Sequence, residues 1–243
     1  IEVDRVNLLA HATTVVTNAI LEEKGAKVGL IASRGFRDIL ELRRSARADL
    51  YDLFQDPPST LVQRRNRLEV TERIGANGEV VIPLAEDEIA ELVVKLKASK
   101  VEAIAISLLF SFLNDEHEAL LGRRLRVALP GIPIFLSSEV LPEIREFERT
   151  STTAICAYVG PILSSYLQRL KGAITSKGLP APYIMGSGGG LFEIEESLKM
   201  PAMAAESGPA AGVIAAALAG KQINRSKLLS FDMGLSLIHI SEP

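Results

Sequence analysis

The sequence contains very little cysteine and histidine. Cys156 is the only cysteine among 243 residues, so neither an intramolecular disulfide nor a cysteine-based metal cluster can form. It lies in an apolar pattern with helical spacing, which favours a small core side chain. His11, His117 and His239 lack metal-ligand spacing. We expect His117 on a solvated helix surface, whereas His11 lies at a strand end and can meet a ligand.

Long apolar runs and an excess of one charge are also absent. No run approaches the roughly 20 residues that cross a bilayer, and the first residues lack the features of a secretory signal. We therefore expect a cytoplasmic protein with no membrane partner. The 27 basic residues are scattered and face 30 acidic ones, which argues against a nucleic-acid partner.

What is present is the composition of a globular chain of one or two domains, with 47% hydrophobic and 23% charged residues. Strand-like runs alternate with helix patterns in the first half, which predicts βαβ units and a parallel sheet flanked by helices. The predicted strands cover residues 6–12, 27–32, 101–109 and 132–137. The predicted helices cover residues 14–24, a stretch that Pro83 opens, and 114–129, with Asn114 as the cap.

Further elements follow from turn residues and from helical spacing. Asn77-Gly78 predicts a β-hairpin between residues 67–74 and 79–82. Residues 151–174 give the strongest helix pattern, which Gly160-Pro161 should bend or divide. Strands are predicted at 182–185 and 227–233, and helices at 193–199 and 209–219.

Residues 141–150 combine three glutamates with two arginines. Opposite charges at this density favour a solvated face of ion pairs. A role in a substrate site or in domain closure is the alternative.

Three turns combine a strand end, a glycine or hydroxyl residue and a helix start. In this arrangement backbone N–H groups and a helix dipole converge on an anion. None of the turns matches a Walker loop or a dinucleotide fingerprint. Each also has a purely structural interpretation as a turn or cap. The candidate ligand-binding residues are Thr13, Thr14, Gly188, Gly189, Ser207 and Gly208.

A fourth site is Ser230-Phe231-Asp232-Met233-Gly234, an apolar run that ends in Asp and Gly. A carboxylate at this position can hold Mg²⁺ or orient a water, and the glycine lets backbone approach a phosphate oxygen. A strand end followed by a turn explains the same residues. Both interpretations stay open on these residues alone.

Ordered blocks along nearly the whole chain resemble the hydantoinase/oxoprolinase family, which comprises ATP-dependent hydantoinase A subunits, 5-oxoprolinases and the beta subunits of acetone and acetophenone carboxylases. The blocks lie at residues 11–19, 35–38, 48–52, 138–146, 148–153, 207–213 and 231–234. The resemblance implies an α/β fold of the actin-like ATPase, sugar-kinase-like type, incomplete in this chain. It also implies an N-terminal region at 1–150 and the start of a core domain at 151–234.

The chemistry that the resemblance implies is phosphoryl transfer from ATP, with Mg²⁺, to the ring carbonyl oxygen of a hydantoin or of 5-oxoproline. Water then opens the ring. Asp232 is the implied catalytic residue and metal ligand, and Gly234 the implied cofactor-binding residue. The implied partner is a hydantoinase B-like subunit or domain, within an oligomer. The alternatives are a carboxylase beta subunit that acts on a ketone, and a non-catalytic scaffold.

The sequence departs from the family pattern at several positions. An Asp-Val-Gly-Gly-Thr type phosphate loop has no counterpart, Ala12 replaces a glycine, and Gly186–Gly190 replaces a Gln-Ser-Asn-Gly-Gly type run. Residues 235–243 resemble a translated sequencing adapter, so we expect an artefactual tail in which His239 has no function. We therefore expect a fragment that does not turn over ATP by itself.

Overall fold

The computed structural model describes residues 5–45, 49, 51–52, 54–55 and 58–231, and it confirms the predicted α/β class. In these residues the strands are β1 (Ala10–His11), β2 (Val28–Ser33), β3 (Arg67–Val70), β4 (Arg73–Ile74), β5 (Val80–Ile82), β6 (Ala103–Ser107), β7 (Ile134–Leu136), β8 (Tyr183–Met185) and β9 (Leu191–Phe192). The helices are α1 (Val15–Leu21), α2 (Ile39–Leu42), α3 (Ile89–Ala98), α4 (Glu116–Ala128), α5 (Ser137–Val140), α6 (Glu146–Thr175), α7 (Ile194–Lys199) and α8 (Ser207–Gln222).

The chain forms two compact units. Of the described residues, unit 1 contains 5–25 and 162–231, and unit 2 contains those that lie between 26 and 161. The expected division of the sequence at residue 150 stays a prediction.

Unit 2 is built on a parallel sheet with the strand order β3-β2-β6-β7. Every residue of β2 and β6 is buried, as expected for central strands whose sequences are almost continuously apolar. Helices α3 and α4 contribute apolar residues to the same core. Its largest members include Ile31, Ile104, Ile106, Leu96, Leu121 and Leu125.

The predicted strand at 67–74 is two strands. β3 pairs in parallel with β2, whereas β4 pairs antiparallel with β5, so the predicted hairpin is confirmed. Gly78 has the positive φ of 83° that the turn requires. Glu72, between the two pieces, is buried and its carboxylate bonds to Ser33 and His117.

Two of the predicted helices differ in detail. α4 begins at Glu116, and the Asn114 side chain accepts a hydrogen bond from the Glu116 backbone N–H at 3.1 Å. α6 is a single helix that contains Pro161, so the predicted division is wrong. Proline removes one backbone N–H, and the fully buried side chains of Val159, Leu163 and Leu167 hold the adjoining turns in place.

Unit 1 contains the sheet β1-β8-β9, in which β1 and β8 are parallel and β8 and β9 antiparallel. The strand predicted at 6–12 is reduced to β1. The strand predicted at 227–233 is absent from residues 227–231, which are exposed and have no strand partner in the described part of the chain. Residues 232–233 lie outside the described residues.

No helix within the described ranges has both the length and the apolar character needed to cross a bilayer.

Candidate functional site

Two of the three predicted turns lie at one edge of the unit 1 sheet. Because β1 and β8 are parallel, with Ala10 opposite Tyr183 and His11 opposite Ile184, their carboxyl ends meet at the same edge. The first turn follows β1 and leads into α1. The second follows β8 and returns to β9 through the glycine turn, Gly186–Gly190. This edge is where α/β proteins commonly bind ligands.

The third turn, at the start of α8, is hydrogen-bonded to the first. The Ser207 hydroxyl donates to the Thr13 carbonyl at 3.0 Å and accepts from the Thr13 N–H at 3.2 Å. The Glu206 N–H donates to the Thr17 hydroxyl at 3.0 Å. Glu206 itself has a left-handed φ of 55°. These bonds hold the amino ends of α1 and α8 side by side.

The glycine turn lies against α8 as well. Gly189 has a φ of 81°, and a Cβ added there would lie 3.0 Å from Cδ1 of Ile214. The Ser187 N–H donates to the carbonyl of Met203, in the 3₁₀ turn Pro201–Ala204 that precedes α8, at 2.8 Å. The three turns predicted from the sequence therefore converge in unit 1.

Two of the convergent turns expose groups that an anion can reach. Gly188 is exposed and has no atom within 4 Å of an added Cβ, so an anion can approach its backbone. Thr14 is exposed at the N-cap of α1 and its side chain makes no capping bond. α8 contributes the N-terminal dipole of a 16-residue helix.

The predicted binding residues thus have different surroundings. Ser207 is fully buried and Thr13 nearly so, and their hydroxyls bond to backbone groups, which positions the turns. Thr14, Gly188 and Gly208 line the turns. Binding of a cofactor at these residues stays a prediction. Asp232 and Gly234 lie outside the described residues.

The side chain of His11 contacts Tyr166. Its Nε2 lies 2.8 Å from the Tyr166 hydroxyl, and the two rings stack with their centroids 5.8 Å apart. Burial lowers the pKa of His11 from its ordinary value. We infer a neutral imidazole at pH 7 that supports the end of β1.

Arg149 in unit 2 is a residue that the sequence interpretation missed. Its side chain is 1% exposed, so a solvated ion-pair face is wrong for this part of the charged stretch. The guanidinium donates to the Leu108 carbonyl at 2.7 Å and to the Ser111 hydroxyl, and it stacks on Phe112. Burial lowers the pKa of Arg149, whereas the carboxylates of Glu118 and Glu146 oppose that shift.

Glu118, fully buried on α4, fixes the loop that follows β6. Its carboxylate accepts hydrogen bonds from the Leu108 N–H at 2.7 Å, the Ser138 N–H at 2.8 Å and the Ser137 hydroxyl at 2.6 Å. The Ser137 and Ser111 hydroxyls are 3.1 Å apart. Because Ser111 also accepts from Arg149, a buried chain of hydroxyls joins the two opposite charges.

His117 is buried, so its expected place on a solvated surface is wrong. Its Nδ1 lies 2.8 Å from the carboxylate of Glu72, a second buried acid. The Ser33 hydroxyl donates to Glu72 and accepts from the Leu109 N–H. Across residues 5–231, apart from the gaps around 46–57, no three His, Cys, Asp or Glu side chains are grouped as metal ligands.

Two family models match the chain. The model described as Hydantoinase/oxoprolinase N-terminal region matches residues 1–129, and the model described as Hydantoinase/oxoprolinase matches residues 149–236. Together they span most of the sequence.

Curated relatives match over nearly the whole chain. An uncharacterised protein of Methanocaldococcus jannaschii is 41% identical, with 96% of this chain and 35% of that protein covered. Caprolactamase subunit alpha of Pseudomonas jessenii is 33% identical, with 94% of this chain and 33% of that protein covered. 5-oxoprolinase 1 of Arabidopsis thaliana is 30% identical, with 96% of this chain and 20% of that protein covered. The chain thus spans about a third of the length of the first two.

Solved structures share the fold. The crystal structure of the ATP-dependent caprolactamase from Pseudomonas jessenii superposes with a TM-score of 0.83 at 33% identity, covering 94% of this chain and 33% of that one. Nucleotide-free acetone carboxylase superposes with a TM-score of 0.77 at 28% identity, covering 88% of this chain and 32% of that one. The incomplete actin-like ATPase type of α/β fold expected from the sequence is confirmed.

Proposed function

The chain belongs to the hydantoinase/oxoprolinase family, and from that membership we propose that the complete gene product containing it is an ATP-dependent hydrolase of cyclic amides. The proposed reaction transfers a phosphoryl group from ATP to the ring carbonyl oxygen and releases ADP. Water then attacks the same carbon, the ring C–N bond breaks and phosphate leaves. A hydantoin or 5-oxoproline is the proposed substrate type. The ATP-dependent caprolactamase and the 5-oxoprolinase among the relatives support this class.

The observation that carries the proposal is the convergence of three turns in unit 1. The start of α8, the turn after β1 and the glycine turn supply a helix dipole, an exposed hydroxyl and open backbone at one place. Phosphoryl transfer depends mainly on positioning and electrostatic stabilisation. We therefore propose Thr13, Thr14, Gly188, Gly189, Ser207 and Gly208 as the residues that form and line a site for nucleotide phosphates.

The metal and the second phosphate contact are proposed from the sequence. Asp232 would hold Mg²⁺ and act in catalysis, and Gly234 would let backbone approach a phosphate oxygen. Carboxylate oxygens are ligands that Mg²⁺ prefers, and the metal would neutralise phosphate charge during transfer.

A partner subunit is part of the proposal. The caprolactamase relative is named as a subunit alpha, which supports a subunit within a larger assembly. We propose a hydantoinase B-like subunit or domain as that partner, in an oligomeric, cytoplasmic enzyme.

A ketone carboxylase is the second candidate, favoured by the structural likeness to acetone carboxylase. In that reaction ATP would activate a ketone enolate and bicarbonate. The fold is shared by both candidates, so the substrate must distinguish them.

ADP release by the complete gene product, together with its partner, tests the proposal. With MgATP present, we expect caprolactam, 5-oxoproline or hydantoin to accelerate ADP release at least about tenfold, an effect of about 1.4 kcal/mol on the barrier. Acetamide, an open-chain amide, is the control and should have no effect. Acceleration only by acetone with bicarbonate would assign the carboxylase reaction, and no acceleration by either class would leave a scaffold.

A further inference from the structure

A groove in unit 2 gathers basic side chains from three separate parts of the sequence. It has a volume of about 510 Å³ and is formed by the turn after β2, the residues that lead into β3, and the last turn of α3. Of the described residues that line it, none is a carboxylate and five are cations, namely Arg37, Arg64, Arg65, Arg67 and Lys95. We call this surface the basic groove.

Two arginines of the basic groove are held in fixed positions. Nε and Nη2 of Arg64 donate to the two carboxylate oxygens of Asp38, each at 2.9 Å. The side chain of Arg67 is 2% exposed, and its guanidinium donates to the Val62 carbonyl at 2.9 Å and to the Glu41 carboxylate at 2.8 Å. Part of the positive charge is therefore preorganised before any ligand binds.

The other three cations are available to a ligand. Arg65 is exposed and makes no ion pair or hydrogen bond within the described part of the chain. Arg37 lies 4.0 Å from the Asp38 carboxylate, the longest distance at which an ion pair is counted. Lys95 pairs with Glu91 one turn earlier, and both side chains are exposed. Because such a helix pair contributes only about 0.3–0.5 kcal/mol, an anion can displace it at little cost.

Two nearby negative groups do not cancel this charge. The carboxyl end of α3 has a partial negative charge, which Lys95 and Lys97 in the last turn offset. Glu69 acts on Arg64 electrostatically, but its carboxylate lies outside the lining and accepts from the Gly35 N–H at 2.7 Å. The basic groove is therefore a concave surface of positive potential, which concentrates anions.

The residue types of the basic groove favour a small phosphate-bearing ligand. A guanidinium presents paired N–H groups that match two oxygens of one phosphate. Only Leu68 and Ala98 are apolar among the lining residues, so the groove lacks the apolar anchor pockets that hold a protein segment. Its volume lies within the range of about 300–1,000 Å³ that is typical of small-molecule sites, and it leaves room for more than one phosphate.

We propose that the basic groove binds a diphosphate group, either as free pyrophosphate or as the end of an organic diphosphate. Arg37 and Arg65 would donate to the phosphate oxygens, with the Lys95 ammonium as a further donor. Arg64 and Arg67 supply fixed positive charge beside them. This inference goes beyond the proposed function, because the basic groove belongs to unit 2 and the turns proposed to bind nucleotide phosphates belong to unit 1.

The test is calorimetric titration of inorganic pyrophosphate into the complete gene product, without nucleotide or Mg²⁺. We expect binding to the wild type and an affinity at least about tenfold weaker for Arg65→Gln and for Arg37→Gln, because each variant loses hydrogen bonds to a charged group. Arg123→Gln is the matched control, since it removes an exposed arginine of α4 that lies outside the groove lining. Its affinity and the thermal midpoints of all three variants should equal those of the wild type.

Titration of ADP into the same proteins identifies the source of the diphosphate. ADP binding that depends on Arg65 and is tighter than that of pyrophosphate would assign an organic diphosphate. Weaker ADP binding, or ADP binding that is independent of Arg65, would assign free pyrophosphate.

Three results would overturn the inference. They are the absence of pyrophosphate binding, wild-type affinity in both groove variants, which would place the anion elsewhere, and tighter Arg65-dependent binding of a hexaglutamate peptide, which would indicate an acidic protein partner. None of these results bears on ring opening by ATP, which is measured separately as lactam-stimulated ADP release. Conversely, the absence of that stimulation would reject the enzymatic reaction and leave the basic groove as a diphosphate site.

Discussion

At the residue scale, the unexpected feature of unit 2 is its set of buried charges. Glu72, Glu118 and Arg149 are each at most 1% exposed. Sequence reasoning treats a charged side chain as solvated because that is the common case. A signal for Arg149 was nevertheless available, since Thr153 and Cys156 follow it at helical spacing and are fully buried.

The network around Glu118 gives the first prediction. Glu118→Gln should destabilise the protein by about 2–4 kcal/mol, because an amide nitrogen would face backbone donors and Arg149 would lose its linked counter-charge. Glu116→Gln, on the same helix with an exposed side chain, should change stability by no more than about 0.5 kcal/mol. Urea unfolding measures both, and equal effects would contradict the network.

The pH dependence of stability tests His11. Burial lowers the folded-state pKa of this histidine below its ordinary value of 6.5, so the folded protein favours the neutral imidazole. Its contribution is complete above pH 6.5 and is lost as the pH falls through the folded-state value, with a slope of at most about 1.4 kcal/mol per pH unit.

His11→Gln removes this titration while keeping a polar partner for Tyr166. We expect the unfolding free energy of this variant to fall less steeply than that of the wild type from about pH 7 to about pH 5. Urea unfolding at a series of pH values measures the difference. Parallel curves for the two proteins would contradict the assignment to His11.

At the element scale, periodicity predicted the elements better than their ends. The apolar runs gave β2, β6 and β7, the amphipathic stripe gave α3, and the cap residue Asn114 gave α4. The failures have tertiary causes, because strand pairing is decided by neighbours distant in sequence. β3 joined β2 in the parallel sheet, while residues 227–231 have no strand partner in the described part of the chain.

The glycine turn between β8 and β9 gives a prediction at this scale. Gly189→Ala should destabilise unit 1 by about 1–2 kcal/mol, because φ is 81° and the added methyl would lie 3.0 Å from Ile214. Gly188→Ala is the matched control, since an added Cβ there meets no atom within 4 Å. Thermal unfolding should show a lower midpoint for the first variant only, and equal midpoints would contradict the assigned turn.

At the scale of the whole molecule, the order of sequence blocks was more informative than any single motif. Each turn alone is compatible with a cap or a bend, and the structure shows that the three turns of unit 1 are hydrogen-bonded or packed together. Their convergence depends on the parallel pairing of β1 with β8 across more than 170 residues, which local pattern cannot reveal.

The central claim is that nucleotide phosphates bind where α8 begins. A negative charge placed there distinguishes an effect on phosphate binding from an effect on folding. Gly208→Asp adds a carboxylate that stabilises a helix amino end and repels phosphate. A Cβ at this position makes an ordinary contact of 3.5 Å with Thr14. Gly212→Asp, one turn further along α8 in open space, is the control.

Calorimetric titration of MgATP into the complete gene product and these two variants is the most direct measurement. The account predicts an affinity at least about tenfold weaker for Gly208→Asp, with an unchanged or higher thermal midpoint, and wild-type affinity for Gly212→Asp. Wild-type affinity in Gly208→Asp would contradict it.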